Sequence, residues 1–320
     1  MLERPSELGY VGYSPIIDRP PVRWPGGARV ALWLAPNLEF YEYQPERNAY
    51  ADQWPRTPHP DVMTYSYRDS GNRAGFWRML EVFDEHRVRA TVSINVAVLE
   101  HFPEIRDAMV ERDWDFMSHG EYNTRYLFGA TVEEERAFYQ RTCEVIKRQT
   151  GKTLRGMLGP AFTATPHTPE LMAEAGLTYH VDWFVDDQPF PIKVNTGTMV
   201  GIPYSRLLND GLMFGVGGGF EADYFAQVCK DQFDVLYREG ADSGRVMCIA
   251  LHPYLIGQPH RLQYLNDVLS YILSHDGVWA TTGDEIAQWY TEHHRDEHLE
   301  HLNSTVRLRS PVAAVADHTG

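Results

Sequence analysis

Short apolar runs alternate with amphipathic segments along most of the chain, and this alternation predicts an α/β architecture. The run 29–35 is almost wholly apolar, as expected of a strand buried on both faces. Further strands are predicted over residues 90–95, 114–117, 155–158, 179–182, 245–251 and 278–280, and helices over 73–86, 102–112, 131–150, 168–175, 223–237, 263–275 and 283–293. Because no linker divides this alternation, we expect one domain with a parallel sheet, most simply a (β/α) barrel.

The segments around this core differ from it in composition. Residues 1–28 are rich in Pro, Gly, Tyr and Arg and predict an extended arm over the same domain or a neighbouring subunit. Residues 29–293 would form the barrel, and residues 294–320 a charged, flexible tail. The proline-rich stretch 41–71 lacks a helical period and predicts a long loop that covers an active site. Thr131, with Glu134 three residues later, predicts a capping box at a helix start.

Composition narrows the choice of partners and compartment. A chain of 320 residues with 43% hydrophobic content can bury a large core, and a net charge of -15 argues against nucleic acid or an anionic membrane as partner. The three cysteines are far apart, which predicts neither disulfides nor a cysteine zinc site and fits a reducing cytosol. No signal peptide and no apolar run of about 20 residues is evident, so a cytoplasmic protein is expected.

Several predicted strands end in polar or ionisable residues. His252 follows the apolar run 249–251 and precedes Pro253, which places an imidazole on a rigid strand end, where it suits a general acid or base. In a barrel, the carboxyl ends of the strands converge, and the chemistry lies there. The other residues at these ends are Asn37, Glu39, Asn95, His119, Asn123, Asp182, Asp186 and Asp187.

Glu39 is the candidate base and His252 the candidate acid, the minimum required for amide hydrolysis. Each candidate also has a structural interpretation. Glu39 could pair with Arg73 or Arg78, His252 could be satisfied by a loop carbonyl, and His119 could be a structural histidine in the turn before a glycine. Asp186 and Asp187, before Gln-Pro, could serve as turn or helix-cap residues.

Taken in order, several short motifs resemble the polysaccharide deacetylase (NodB-homology) superfamily, whose fold is a deformed (β/α) barrel. Within it, the chain is most similar to the branch of the metal-independent allantoinase. The resemblance spans roughly residues 20 to 293. Its motifs lie at 23–31, 37–39, 72–78, 83–86, 118–120, 186–189, 251–253, 256–261, 278–280 and 285–287.

The resemblance implies that the ligands of the classical metal site are largely missing. The classical enzymes of carbohydrate esterase family 4 hold a divalent metal with one aspartate and two histidines in His-x-x-x-His spacing. Here the base position falls on Glu39, the metal aspartate on Phe40, the two histidines on His119 and Asn123, and Leu158 replaces an arginine. No metal or other cofactor is therefore expected. The alternative is a rebuilt site for zinc or another divalent metal, with Glu39, His119, and Glu121 or an aspartate near 186.

These observations predict a hydrolase of carbon–nitrogen bonds other than peptide bonds, acting on a small cyclic amide, ureide or N-acyl compound. Glu39 would activate water, His252 would protonate the leaving nitrogen, and His119 with Asn123 would position the carbonyl. Asp186 or Asp187 would tune His252 or contact substrate. Asn37, Arg73 and Trp183 are further candidates for substrate binding, and Trp54, Tyr65, Tyr67 and Trp183 for excluding water.

Two other functions stay open at this stage. One is a metal-dependent deacetylase of an N-acetylated sugar or amine, and the other a non-catalytic barrel that binds a small molecule. The N-terminal arm, and the multimers known among allantoinase-like relatives, imply a homo-oligomer, either a dimer or a tetramer. The expected partner is a small-molecule substrate.

Overall fold

A parallel sheet that curls into an incomplete barrel forms the centre of the molecule. The computed structural model describes residues 9–46, 60–215 and 219–305, and within them the sheet has nine strands. The strands are β1 (Val30–Leu38), β2 (Thr91–Ile94), β3 (Asp115–Ser118), β4 (Gly156–Met157), β5 (Tyr179–His180), β6 (Phe190–Ile192), β7 (Met199–Gly201), β8 (Arg245–Leu251) and β9 (Val278–Thr281).

Helices pack around this sheet. They are α1 (Val62–Ser70), α2 (Phe76–His86), α3 (Ala97–His101), α4 (Pro103–Glu111), α5 (Val132–Thr150), α6 (Thr168–Glu174), α7 (Asp210–Met213), α8 (Ala222–Glu239), α9 (Pro253–Ile256), α10 (Leu262–Leu273), α11 (Gly283–His293) and α12 (Arg295–Thr305). A π-helical turn, Gly71–Gly75, joins α1 to α2. Thr131 and Glu134 form the predicted capping box at the start of α5.

Strand β1 is the hub of the sheet, because it is buried along its whole length and pairs with three other strands. It runs parallel to β8 from Val30 to Pro36, to β9 at its beginning, and to β2 at its end. The strand order is β6-β7-β5-β4-β3-β2-β1-β8, and only β6, beside β7, is antiparallel in this sheet. The predicted parallel α/β barrel class is confirmed.

The two faces of β1 belong to two apolar clusters. Leu32 and Leu34 pack with the surrounding helices, whereas Ala31, Trp33 and Ala35 fill the interior of the curl. All the residues between Val30 and Leu38 are buried, which explains why the sequence shows an apolar run there and no alternation. The side chains that leave the end of this strand therefore emerge from a rigid support.

Several elements differ from the sequence-based expectation. The stretch 41–71 contains helix α1, so the loop prediction is wrong over residues 62–70. Its helical pattern was hidden because only one residue of α1, Asp69, is buried. The short elements β6, β7, α3, α7 and α9 were not predicted, since each has five residues or fewer and therefore too few for a period to show.

The N-terminal arm lies on its own domain. Val11 bridges to Ile192, Arg19 pairs with Asp186 at 2.5 Å, and the buried Trp24 donates its Nε1 hydrogen to the Arg245 carbonyl at 2.9 Å. Residues 295–305 of the predicted tail form helix α12, in which His298 and Leu302 are buried; residues 306–320 lie outside the described part.

The three cysteines, Cys143, Cys229 and Cys248, are all free thiols, as their spacing predicted. Among the described residues, no helix is long and apolar enough to cross a membrane.

Candidate active site

Glu39 lies at the centre of the site, where it faces two histidines from different strands. It is buried and follows β1 directly. Its Oε1 lies 3.6 Å from Nε2 of His119, which follows β3, and 3.6 Å from Nε2 of His252, which follows β8. The structure therefore brings the three predicted catalytic side chains together at the carboxyl ends of their strands.

His252 is held by a carboxylate from α7. Its Nδ1 lies 2.7 Å from Oδ1 of the fully buried Asp210, and its backbone N–H donates to the same carboxylate at 2.9 Å. The backbone N–H of Ile256, in α9, also donates to Asp210 at 3.2 Å. Asp210 therefore fixes both the orientation of the ring and the start of α9, and it directs Nε2 towards Glu39.

The charges at Glu39 and His252 favour one protonation state. Burial would raise the pKa of Glu39, but the charge of His252 and the neighbouring imidazoles of His252 and His119 lower it well below its usual range. Burial would lower the pKa of His252, but Asp210 and Glu39 raise it to about 10. At neutral pH, Glu39 is a carboxylate and His252 an imidazolium, which are the forms of a base and an acid.

His119 is oriented by a backbone carbonyl. Its Nδ1 lies 3.0 Å from the oxygen of Leu158, and its backbone N–H donates to Ile94 at 2.9 Å. The carbonyl can only accept, so Nδ1 carries the hydrogen of this bond and Nε2 faces the site. Leu158, at the position of a family arginine, thus contributes its backbone to the site.

The second oxygen of Glu39 is held by a tyrosine. The Tyr41 hydroxyl donates to Oε2 of Glu39 at 2.7 Å, and the Asn123 side chain donates to the Tyr41 hydroxyl. Among the described residues, Oδ1 of Asn123 has no hydrogen-bond partner although it is buried. Asn72 donates to the backbone oxygen of Glu39 at 3.1 Å. The carboxylate is thus fixed on one side and presents Oε1 on the other.

Not all of the predicted site residues lie in this pocket. The buried Asn37 amide donates to the Tyr204 hydroxyl at 3.0 Å and to the Ala35 carbonyl at 3.2 Å, so it is engaged inside the fold. Arg73 is exposed and pairs with Asp69, and Arg78 donates to the Gly257 carbonyl at 3.1 Å. The alternative in which either arginine pairs with Glu39 is therefore not found.

The prediction that Asp186 or Asp187 tunes His252 is wrong, because Asp210 occupies that position. Asp186 pairs with Arg19 of the arm, and the Asp187 carbonyl accepts from Val246 at the opposite end of β8 from His252. Burial and the charge of Asp186 raise the pKa of Asp187. The loop after β5 carries both aspartates away from the carboxyl ends of the strands.

The predicted aromatic cover is only partly present. Trp183 donates to Nδ1 of His180 at 3.1 Å and lines a separate cavity of about 850 Å³ beside the arm. Tyr67 lies on α1, with its ring 5.6 Å from that of Tyr254, and the Tyr254 ring lies 5.7 Å from His252. The ring centroid of Tyr65 lies 5.2 Å from that of Tyr43. Trp54 is outside the described residues.

Comparison with known proteins identifies the family of this chain. A family model described as polysaccharide deacetylase matches residues 57–180. The solved structure of a probable polysaccharide deacetylase from Pseudomonas aeruginosa PAO1 is 31% identical, with a TM-score of 0.76, and the match covers 86% of this chain and 95% of that one. The chain belongs to the polysaccharide deacetylase family.

Within the polysaccharide deacetylase family, the relatives include an allantoinase, as the sequence motifs indicated. The structure of PuuE allantoinase is 29% identical, with a TM-score of 0.78, over 92% of this chain and 99% of that chain. A putative polysaccharide deacetylase of Schizosaccharomyces pombe is 28% identical over 84% of this chain and 93% of its own length. These relatives indicate a hydrolase that acts on carbon–nitrogen bonds.

The metal site of classical polysaccharide deacetylases does not fit the residues present. Phe40 packs its ring 5.3 Å from Phe102, and Asn123 is bound to Tyr41. Glu121, a candidate ligand for a rebuilt site, forms ion pairs with Arg125 and Arg141. Within the part of the chain that the structure describes, no three His, Cys, Asp or Glu side chains are arranged to hold a metal ion.

The sequence interpretation missed Asp210 and Tyr41. The segment before α7, Leu207-Leu208-Asn209-Asp210, has the same order of apolar then polar residues as the other strand ends, and Asn209 bridges in parallel to Ala250 of β8. That order was the available signal for Asp210. Tyr41 was missed because a tyrosine beside a base has no characteristic motif.

Proposed function

We propose that the protein hydrolyses a carbon–nitrogen bond other than a peptide bond in a small cyclic amide, ureide or N-acyl compound. The observation that carries this proposal is the position of Glu39, whose Oε1 lies 3.6 Å from Nε2 of both His119 and His252. A buried carboxylate and an imidazolium that face the same space form a base–acid pair for amide hydrolysis.

The reaction follows from the protonation states. Glu39 accepts a proton from a water molecule, whose oxygen attacks the carbonyl carbon. His252 then donates its Nε2 proton to the leaving nitrogen as the carbon–nitrogen bond breaks. After the products leave, the proton on Glu39 returns to His252 across the 3.6 Å between them, so the pair is restored. Asn123 positions the carbonyl through an N–H of its amide, and His119, whose Nδ1 hydrogen is bonded to Leu158, orients the attacking water through Nε2.

The chemistry available supports this substrate class. These residues supply a base, an acid and hydrogen bonds, which suit activated carbonyls such as those of cyclic amides and ureides. The PuuE relative is named an allantoinase. A second candidate is deacetylation of an N-acetylated sugar or amine, since a Helicobacter pylori relative, 25% identical over 67% of this chain, is named a peptidoglycan deacetylase.

Two variants test the proposed mechanism. We expect Glu39→Gln and His252→Ala each to lower kcat/KM by about 10²–10⁴-fold on any substrate found in a panel of cyclic amides, ureides and N-acetyl compounds, because each removes a proton-transfer group. Released amine or ammonia is the readout. Glu174→Gln, which removes an exposed ion pair with Arg136, is the matched control and keeps wild-type rates. Wild-type activity in both site variants would refute the proposal.

Metal analysis and chelation distinguish the proposed metal-independent hydrolysis from a metal-dependent deacetylation. Under the proposed mechanism, activity survives prolonged dialysis against a chelator. Stoichiometric zinc in the purified protein, together with loss of turnover on chelation, would favour the metal-dependent deacetylase.

A further inference from the structure

A guanidinium lies against the aromatic wall of the active site. Arg68, on α1, places its Cζ 3.7 Å from the centroid of the Tyr41 ring, and the hydroxyl of that tyrosine donates to Glu39. Helix α1 packs against α9, which begins directly after His252. Arg68 is therefore carried to the pocket by an element outside the sheet.

The charges of Arg68 and Glu39 act on the same three tyrosines. Burial and the Glu39 carboxylate raise the pKa values of Tyr41, Tyr126 and Tyr254, and in each case the positive charge of Arg68 opposes the rise. All three rings therefore lie within electrostatic reach of both groups. Together with the contact of Arg68 on the Tyr41 ring and the hydrogen bond from Tyr41 to Glu39, this places the guanidinium beside the carboxylate.

Arg68 is not needed to keep Glu39 ionised. The groups that lower the pKa of Glu39 are His252 and His119. The Arg68 side chain is only half-buried, so it can meet a molecule that enters from solvent. A guanidinium has five N–H donors and binds a carboxylate with two parallel hydrogen bonds, so it can take a ligand in addition to partners within the chain.

We propose that Arg68 selects substrates that carry a carboxylate next to the scissile carbon–nitrogen bond, such as N-acyl or N-carbamoyl amino acids. The carboxylate binds the guanidinium beside the Tyr41 ring, while the amide carbonyl reaches Glu39, His119 and His252. This inference rests on the proposed hydrolase activity and names the substrate class of that same pocket. It also gives α1 the role of a specificity element.

Matched pairs of compounds test the selection. N-carbamoylglycine is compared with N-carbamoylglycinamide, and N-acetylglycine with N-acetylglycinamide, so that a neutral amide of similar shape replaces the carboxylate. We expect wild-type kcat/KM to favour the acid of a pair by about 10- to 100-fold. Arg68→Gln should remove that preference and leave the neutral compound within about threefold of wild type. Arg68→Lys should restore part of it, because the charge remains without the planar fork.

The matched control is Arg29→Gln. Arg29 also lies over a tyrosine ring, 4.7 Å from the centroid of Tyr237, but it precedes β1 at the other end of the barrel. The Arg29→Gln variant should keep the wild-type preference for the acid over the amide. Measurable turnover at equal rates for acid and amide in the wild type, or an equal loss on both in Arg68→Gln, would overturn the inference.

A binding measurement separates this inference from the proposed function. Calorimetry with N-acetylglycine and N-acetylglycinamide is performed on wild type, on Glu39→Gln, and on Glu39→Gln combined with Arg68→Gln. Selective binding of the acid that depends on Arg68, without wild-type turnover of any compound in the panel, would sustain the inference and reject the hydrolase. Absence of both binding and turnover of the acids in the wild type would reject the inference.

Discussion

The two carboxylate oxygens of Glu39 have different neighbours. Oε2 accepts a hydrogen bond from Tyr41 at 2.7 Å, and Oε1 faces His119 and His252. A carboxylate held in this way can accept a proton at Oε1 without rotating away from the water it activates. Under the proposed mechanism, Tyr41 positions the base, and Asn123 supports Tyr41 through a hydrogen bond to its hydroxyl.

The alkaline limb of the pH profile of kcat/KM should depend on Asp210. Because the pKa of Glu39 is lowered and that of His252 is raised to about 10, wild-type kcat/KM should stay level across neutral pH and fall only above about pH 10, where His252 loses its proton. Asp210→Asn removes the main group that raises the pKa of His252, whereas burial still lowers it. The alkaline limb should therefore move to lower pH, with a loss of about tenfold or more at pH 9.

The control for this profile is Asp234→Asn, which alters an exposed carboxylate that accepts from Tyr271. The Asp234→Asn variant should have the same alkaline limb of kcat/KM as wild type. An unchanged alkaline limb in Asp210→Asn, in protein with wild-type thermal stability, would contradict the assignment of His252 as the acid.

At the residue scale, the sequence predicted the site residues that directly follow a strand. Glu39, His119 and His252 each follow a strand, so the convergence of parallel strands brings them together. Asp186 and Asp187 were misplaced because they follow β5 at a distance, on a loop whose path is set by the arm and the start of β8. No local pattern encodes such a path.

At the element scale, glycines let the π-helical turn lie directly against α9. A Cβ added to Gly75 would stand 2.0 Å from the Pro253 carbonyl oxygen, and one added to Gly257 would stand 2.5 Å from the Cα of Gly75. Real Cβ atoms do not approach backbone this closely. The side chains that α1 and α9 present to the site are therefore fixed relative to each other by this contact.

Gly75→Ala should separate the turn from α9. Because the clash is with backbone and cannot be relieved by a side-chain rotation, we expect a loss of at least about 2 kcal/mol in the free energy of unfolding. Activity should fall as well, since α9 begins directly after His252. Urea denaturation and kcat/KM measure the two effects. Ser70→Ala, five residues earlier in the same segment, should change stability by less than about 0.5 kcal/mol. Equal stability of the two variants would disprove the close contact.

Long periodic elements were predicted well and short ones poorly. Helix α11 and strand β8 have the predicted bounds, and α5 begins at its predicted cap. Helix α1 was missed because its residues face solvent and the active site more than a core. Its single buried residue leaves no apolar stripe to detect.

At the scale of the whole molecule, one buried acid links stability to pH. Asp284, at the start of α11, has its pKa raised to about 7 by burial and by the charge of Asp115, although Tyr179 donates to it at 2.6 Å. The folded protein therefore binds this proton more tightly than the unfolded chain, in which the pKa is near 3.8. The resulting stability is present below about pH 4 and is lost as the pH rises to 7.

Asp284→Asn should remove this dependence. The variant should be more stable than wild type at pH 8, by roughly 2–4 kcal/mol, and the difference should shrink towards pH 4. Urea denaturation at several pH values measures it. Asp267→Asn, on the exposed face of α10, is the control and should follow wild type at every pH. A variant that is less stable than wild type at pH 8 would show that the carboxylate is stabilising.

The overall architecture was the most predictable level, because alternation of strands and helices in one unbroken series favours a parallel barrel. The arm and α12 were less predictable. Their docking depends on single contacts, such as Arg19 with Asp186 and the Tyr290 hydroxyl with Nδ1 of His298 at 2.6 Å. Single side-chain contacts of this kind leave no periodic pattern in the sequence.

The unbroken pairing of β1 with β8, from Val30 opposite Arg245 to Pro36 opposite Leu251, has an evolutionary and practical consequence. The proposed base and acid leave the ends of two strands that are paired with each other, whereas Arg68 comes from helix α1, outside the sheet. Bond cleavage and molecular choice are thus encoded in different stretches of the polypeptide. If the proposed roles hold, substitutions in helix α1 should change substrate preference while the reacting pair is kept intact.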